Sequence, residues 1–393
     1  MSAMSSSFIA RESSRAGEQP QRDEVVVFHP RPWVALSFIP VVLGANDKRA
    51  WMLAPGACDI LLDLQPPQVG ASYLVLPERP FMVMSACSDR LLFMGVTGAE
   101  GVSNPVFFLG DARARTVVRL PAVPAHLGVR VIRRHSIGLI ADPRHGGHYM
   151  VAQLQPPTLT TLHKTLLCYS TVTDQWTTRP LASAEEHYRW GAHGGLLWWI
   201  DVSCGMLICD PFAADDNLHL RFIPLPVGCM VIRGPVRRPE LMAKQRFIRP
   251  SQGKLRYVEI RTGVPIGPNR LKQPPEVRMF TLVSQEGQHY WVHEYTATFA
   301  DIWSHHSYAD AGLPWGVVPS LALIDPNNPN TLYFFQGTTL FAVDGKARKV
   351  LFHLQYLVDS ANADLNFQNS GFVSAWELPQ ALFVNRHARA GLP

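Results

Sequence analysis

Short apolar runs of strand length recur along the chain, set apart by Pro, Gly, Asp and Asn. Leu91–Val96, Ser136–Ala141, Tyr149–Leu154, Thr165–Ser170, Leu196–Ile200, Met206–Cys209, Leu255–Ile260, Val277–Val283, Tyr290–Thr296, Thr331–Phe335 and Leu340–Val343 are rich in β-branched and aromatic residues. This is the signature of strands rather than helices. The 28 glycines and 32 prolines leave little room for long helices. Only Ala182–Tyr188 and the last residues have a helical look. Leu196-Leu-Trp-Trp-Ile200 and Thr331-Leu-Tyr-Phe-Phe335 are apolar without interruption. A strand with one wet face alternates, whereas a strand covered on both faces does not.

One phrase returns: a strand, a polar turn that often holds Asp, and a second strand ending in Leu and Pro. It runs from Phe108 to Pro121, from Cys168 to Leu181 and from Ile208 to Pro226, with weaker copies at Met52–Pro66 and Phe341–Phe352. A spacing of roughly 45 to 60 residues is the blade scale of kelch-type repeats. The expectation is an all-β β-propeller of kelch/F-box-associated type with about six blades over residues 31–385. Each polar turn then joins the two outer strands of a blade. Two all-β domains divided near Pro226–Pro250 are the structural alternative. Residues 1–30 read as a disordered tail and 386–393 as a second tail.

The segment His193-Gly-Gly-Leu-Leu-Trp-Trp-Ile-Asp-Val-Ser-Cys-Gly-Met-Leu-Ile-Cys-Asp-Pro-Phe212, with Leu220–Pro226, Gly253–Val258, Trp291–Trp303, Ile324-Asp-Pro-Asn-Asn-Pro-Asn-Thr-Leu-Tyr-Phe-Phe335 and Leu340–Asp344, resembles the grass-expanded plant family called domain of unknown function 1618. The resemblance covers about Trp33 to Tyr356. It implies no settled activity, cofactor or catalytic residue. Some members look like F-box proteins, but the residues ahead of the first strand lack the Leu-Pro-rich helical pattern of an F-box.

Charge changes the picture locally. The chain of 393 residues carries a formal +5. Between Arg233 and Lys272 lie eleven basic residues and two acidic ones, Glu240 and Glu259, so the remainder is net negative. Arg233, Arg237, Arg238, Lys244, Arg246 and Arg249 are the candidate interaction residues of this stretch. Clustered on one face they would attract nucleic acid or an acidic partner. Only Phe247 and Tyr257 interleave with them, which is thin for base stacking.

The remaining chemistry is sparse. The six cysteines show no Cys-x-x-Cys spacing and sit mostly in apolar stretches, as free thiols of a reducing compartment do. His289, His293, His305 and His306 are close in sequence. Strand spacing keeps the first pair about 13 Å apart, and neighbouring side chains at 305 and 306 are expected to diverge. Cys204 and Cys209 with His193 could form a thiol site, but apolar neighbours make a thiol inert. Asp215-Asp216, or Asp201 with Asp210, could serve a propeller hydrolase or lyase, although Asp210-Pro211 and Asp325-Pro326 have the form of turn starters. There is no nucleophile elbow, phosphate loop or dinucleotide fingerprint. No cofactor is expected. No apolar run reaches the length of a membrane span and none has the form of a signal peptide, so a cytoplasmic or nuclear location is expected. The function that fits is a non-enzymatic scaffold holding a protein partner on propeller loops, with hydrolase or lyase activity and nucleic-acid binding through 233–272 as alternatives.

Overall fold

A computed structural model describes residues 30–38, 41–42, 59–61, 71–76, 82–97, 104–114, 116–129, 137–155, 164–181, 189–193, 195–214, 218–231, 239–263, 274–285, 288–355, 370–371 and 373–378. The first strands are β1 (Trp33–Ser37), β2 (Val41–Val42), β3 (Asp59–Leu61) and β4 (Ala71–Leu76). Five four-stranded antiparallel blades follow. Blade 1 is β5 (Met82–Cys87), β6 (Arg90–Thr97), β7 (Asn104–Asp111) and β8 (Thr116–Arg119). Blade 2 is β9 (Ile137–Ala141), β10 (Tyr149–Gln155), β11 (Lys164–Ser170) and β12 (Gln175–Leu181). Blade 3 is β13 (Arg189–His193), β14 (Leu196–Asp201), β15 (Gly205–Cys209) and β16 (Arg221–Pro224).

Helix α1 (Pro239–Gln245) leads into blade 4, made of β17 (Arg246–Ser251), β18 (Lys254–Arg261), β19 (Glu276–Gln285) and β20 (Gln288–Thr298). Helices α2 (Phe299–Ser304) and α3 (His306–Asp310) connect it to blade 5, made of β21 (Ser320–Ile324), β22 (Thr331–Gln336), β23 (Thr339–Asp344) and β24 (Lys349–Gln355). The last strand, β25 (Val373–Glu377), returns to β1 and pairs with it antiparallel, while β4 pairs with β1 in parallel. The sixth sheet therefore joins strands from both ends of the chain.

Six apolar clusters show how the sheets are arranged. Leu92 and Phe107 of blade 1 pack with Leu139 and Val151 of blade 2. Met150 and Leu166 of blade 2 meet Leu197 and Trp199 of blade 3. Trp198 and Met206 of blade 3 meet Tyr257 and Phe280 of blade 4. Val258 and Met279 of blade 4 meet Phe334 and Phe341 of blade 5, with α2 and α3 filling the wedge between them. Tyr333 and Phe335 of blade 5 meet Ala35 and Val373 of the sixth sheet. Val34, Leu36 and Trp376 of that sheet meet Leu91 and Phe93 of blade 1. Each sheet thus packs on two neighbours and the series closes: this is a propeller, with five regular blades and one mixed sheet against the expected six. The uninterrupted runs follow directly, because Leu197 and Trp199 face one neighbour while Trp198 and Ile200 face the other. A division near Pro226–Pro250 is ruled out, since one cluster runs from Trp198 to Leu282 across it.

The recurring phrase is the outer hairpin of a blade, as its pattern suggests. Asp111 ends β7 and its Oδ1 accepts from the N–H groups of Arg113 and Ala114, both at 2.8 Å. Asp344 does the same for Lys346 and Ala347 after β23. These carboxylates satisfy turn amides that the ladder leaves unpaired. The fourth strands are the most exposed, as in β8 and β16, and first strands of neighbouring blades, such as β9 and β13 or β17 and β21, lie against one another around the centre. The antiparallel order then gives the ring two unlike faces. One carries the connectors from a fourth strand to the next first strand, together with the turns between second and third strands; here it is the connector face.

The segment Ala182–Tyr188 lies outside the described residues, as do both tails and most of the Met52–Pro66 copy. The helices that are described lie elsewhere. Helix α2 starts at Thr298, whose side chain accepts from Asp301 N, and it buries Phe299 and Ile302 one turn apart. Among the described residues no helix is long and apolar enough to cross a membrane.

Candidate functional site

The basic stretch enters blade 4 on the connector face, and blade 4 draws part of it inward. Arg246, Glu259 and Arg278 stand opposite one another on β17, β18 and β19. Glu259 is completely buried. Its Oε2 lies 3.1 Å from Arg246 Nη2, its Oε1 accepts from Arg278, and the Tyr257 hydroxyl donates to Oε2 at 2.8 Å. A buried carboxylate is tolerable only when its charge and lone pairs are met in this way.

The same cluster grips the connector that leaves blade 3. Arg246 Nη1 donates to the Cys229 carbonyl at 2.6 Å, and Arg278 Nη2 approaches Cys229 Sγ at 3.3 Å. The connector is tied from its other side by Leu225 N to the Cys204 carbonyl and Val231 N to the Ser203 carbonyl. Burial, aided by the Glu259 charge, pushes the Cys229 thiol up to about 11. From this fixed connector Val227 projects fully into solvent and Met230 is 57% exposed, with Leu241 of α1 at 49%. Helix α1 lies across the inner rim, against β17 and β21, and the Ser370 hydroxyl donates to the Ala243 carbonyl at 2.6 Å.

The six candidate residues therefore divide. Arg233, Arg237 and Arg238 lie outside the described residues. Lys244 is half-buried on the last turn of α1. Arg246 belongs to the Glu259 cluster, and Arg249 Nη2 donates to the Ser370 carbonyl at 2.9 Å. Farther on, Arg256 is buried against Thr281 and Glu294, and Arg261 is exposed where β18 reaches the connector face. Phe247 and Tyr257, the two aromatic rings within the stretch, are both in the core. Sequence reasoning passed over Glu259 and Arg278. The available signal was one acid amid many arginines in an apolar run, Leu255–Ile260.

The other candidate groups are built into the frame. His289 bonds Arg221 and Ser284, and His293 leans edge-on to Phe280. His305 caps α3 through Nδ1. The His305 and His306 rings do not diverge: their centroids are 4.3 Å apart, because the cap turn places them side by side. Cys209 is in the core between blades 2 and 3, and burial drives its thiol up to about 12. Cys204, in the β14–β15 turn, and His193, paired with Leu196, are placed by the blade 3 ladder. Cys87, Cys168, Cys204, Cys209 and Cys229 are all free thiols. Asp201 accepts from Ser203, and Asp210 from Phe212 N. Asp325 accepts from Asn327 N and Asn328 N, the turn-starting role its Pro neighbour suggests. Asp215-Asp216 lies outside the described residues. Among the described residues no group of three or more His, Cys, Asp or Glu side chains could hold a metal ion.

Comparison with solved structures finds matches at low identity and low TM-score. A nidogen/laminin complex aligns at 11% identity over 70% of this chain and 80% of that one, with a TM-score of 0.35. The β-propeller domain of Cps50 (Swd1) from Myceliophteria thermophila aligns at 10% identity over 70% and 73%, with a TM-score of 0.34. The α-L-arabinofuranosidase Arb93A of Fusarium graminearum aligns at 10% identity over 74% and 78%, with a TM-score of 0.32. Likeness at this level says nothing of activity or ligand. No curated protein matches the sequence. Residues 199–333, from Trp199 in β14 to Tyr333 in β22, match the model of the family described as "Protein of unknown function (DUF1618)".

Proposed function

We propose that the protein is a non-enzymatic binding scaffold that holds a protein partner on the connector face at blades 3 and 4. The observation that carries the reading is the exposure of Val227, Met230 and Leu241 on a connector fixed from beneath by Arg246 and Arg278. Apolar side chains held in water by a rigid frame lose little conformational freedom on binding, so their burial goes into affinity. Nucleic-acid binding has less support. The two rings of the basic stretch are in the core and cannot stack on bases, and Arg246, Arg249 and Arg256 hold interior partners instead of phosphates.

The test is affinity capture with the full chain at low and high salt. Two variants run alongside: Val227→Asp with Met230→Asp and Leu241→Asp, and a charge-neutralised form with Arg233, Arg237, Arg238 and Lys244 changed to Gln. A protein partner that survives high salt and is lost with the apolar variant is the expected result. Recovery of nucleic acid that disappears with salt and with the neutralised form would overturn the reading.

A further inference from the structure

We propose that a second copy of this chain pairs with the outer edge of blade 4, β20 against β20 in antiparallel order about a twofold axis at Trp291. An outermost strand offers a row of unpaired N–H and C=O groups, and folds guard such rows with short length, proline, charge or a covering element. The other four blades do so. β8 and β16 have 4 residues each, and β16 ends in Pro224. β12 holds Arg179 and Pro180. β24 starts at Lys349, and α3 lies against it, Ser307 Oγ accepting from Val350 N at 2.9 Å. β20 has 11 residues, ends the order of its sheet, and carries no Pro, Lys, Arg, Asp or Glu from Gln288 to His293.

This half of β20 is fixed on one face and bare on the other. Trp291 faces blade 3, where its Nε1 donates to the Pro224 carbonyl at 2.8 Å and its ring meets Tyr257. Arg221 holds His289 at 2.6 Å. Tyr290 and Val292 point the other way, to the side on which Tyr295 and Ala297 pack with blade 5. They are nevertheless 44% and 40% exposed, so the hairpin reaches past its neighbour. Glu294 closes the window: it is the extra residue where the register shifts, and its carboxylate accepts from Arg256 and Thr281.

The strand's own sequence fits this edge. Gln285 pairs with Gln288 across two intervening residues, the closing hydrogen-bonded pair of a hairpin, from which the ladder alternates. Gln288, Tyr290 and Val292 therefore bond to β19, while His289, Trp291 and His293 turn their N–H and C=O groups outward. An axis at Trp291 sets the two Trp291 residues opposite each other and His289 opposite His293 of the second copy. All three outward residues of each strand are then paired. The same register sets Tyr290 against Val292 twice on the bare face, aromatic against β-branched, which is a favourable cross-strand pair. With no carboxylate, ammonium or guanidinium group between 288 and 293, no fixed like charges meet across the axis. The hairpin tip lies on the ring face opposite the connectors, so this pairing leaves Val227, Met230 and Leu241 uncovered.

Sedimentation velocity of the full chain over a concentration series tests the proposal. A strand pair this short buries less than the roughly 1,200 Å² of a standard interface, so the expected result is a reversible monomer–dimer equilibrium in the micromolar range. Amide exchange at His289, Trp291 and His293 should slow as the dimer fills, while that of Tyr290 and Val292, already bonded to β19, stays constant. Tyr290→Lys with Val292→Lys puts cations opposite one another and should weaken association at least about tenfold. Tyr290→Glu with Val292→Glu should do the same. An equimolar mixture of the two forms should restore association, because every Lys then faces a Glu. Both forms are first checked for unchanged thermal unfolding.

A monomer at every concentration overturns the proposal, as does a dimer that ignores both variants or a mixture that stays monomeric. Slowed exchange at Tyr290 and Val292 without slowing at the outward positions would mean another register and overturn it too. Loss of the dimer in the Val227, Met230 and Leu241 variant would move the association to the connector face, with the same consequence.

Discussion

At the scale of single residues, Glu259 is the position where the protein has most at stake. Its carboxylate has no solvent and depends on Arg246, Arg278 and Tyr257. Glu259→Gln keeps the shape and removes the charge, leaving two guanidinium groups in the interior with a neutral amide between them. The expected loss is about 3–5 kcal/mol, the usual cost of breaking a buried ion pair from one side. Replacing all three members together with Met or Leu should cost less than the single change, because no uncompensated charge is left behind. Urea denaturation of the parent protein and the two variants decides it: a triple variant weaker than Glu259→Gln would show that the cluster contributes net attraction beyond its own desolvation.

At the scale of elements, the blade hairpins show what the sequence made legible. The second and third strands of each blade are flanked by protein on both faces, so their apolar runs are continuous and their places readable, as with Leu196–Ile200 inside β14 and Leu255–Ile260 inside β18. First strands were harder. β17 reads Arg-Phe-Ile-Arg-Pro-Ser, and its arginines look like surface charge until their partners on β18 and near β25 are known. The candidate site was legible as a charge excess but not as an apolar surface, because exposure of Val227 or Met230 is decided by the tertiary arrangement and not by any local pattern.

Gly205, at the start of β15, illustrates a requirement of the element itself. A Cβ there would collide with the Ile223 carbonyl oxygen and the Phe222 ring on β16. The backbone oxygen belongs to a ladder in which Gly205 pairs with Pro224, so it has little room to give. Gly205→Ala is therefore expected to cost about 1–3 kcal/mol, the range for overpacking a filled site. Gly253→Ala meets open space and differs in kind, its cost arising from a φ of +67°. Thermal unfolding of Gly205→Ala together with a Phe222→Ala partner separates ring from backbone: rescue by the second change would show that the ring was the obstacle.

At the scale of the whole molecule, a ring of sheets is only as cooperative as its closure. The closing sheet is held by β1 against β25 over five paired positions. Trp376 fills the interface with blade 1 and its Nε1 donates to the Ser88 carbonyl at 2.8 Å. On the other side the Asp325–Asn330 turn of blade 5 reaches both neighbours. Asn327 exchanges hydrogen bonds with the backbone of Arg31 at 2.8 and 2.7 Å, and the turn accepts from Ser251 and Gln252 of blade 4. Trp376→Ala deletes a buried indole and its hydrogen bond, a change worth about 3–5 kcal/mol. In a closed ring that loss should first free the elements at the seam, because the two sheets beside the opened interface keep one packed neighbour each while the other four keep two. Native-state hydrogen exchange is expected to rise in β1, β25, β5 and β6 while β14, β15 and β18 keep their protection. Trp199→Ala, a similar deletion between blades 2 and 3, should give the opposite map. If both variants instead raise exchange evenly around the ring, the six interfaces open as a single unit and the seam has no separate stability.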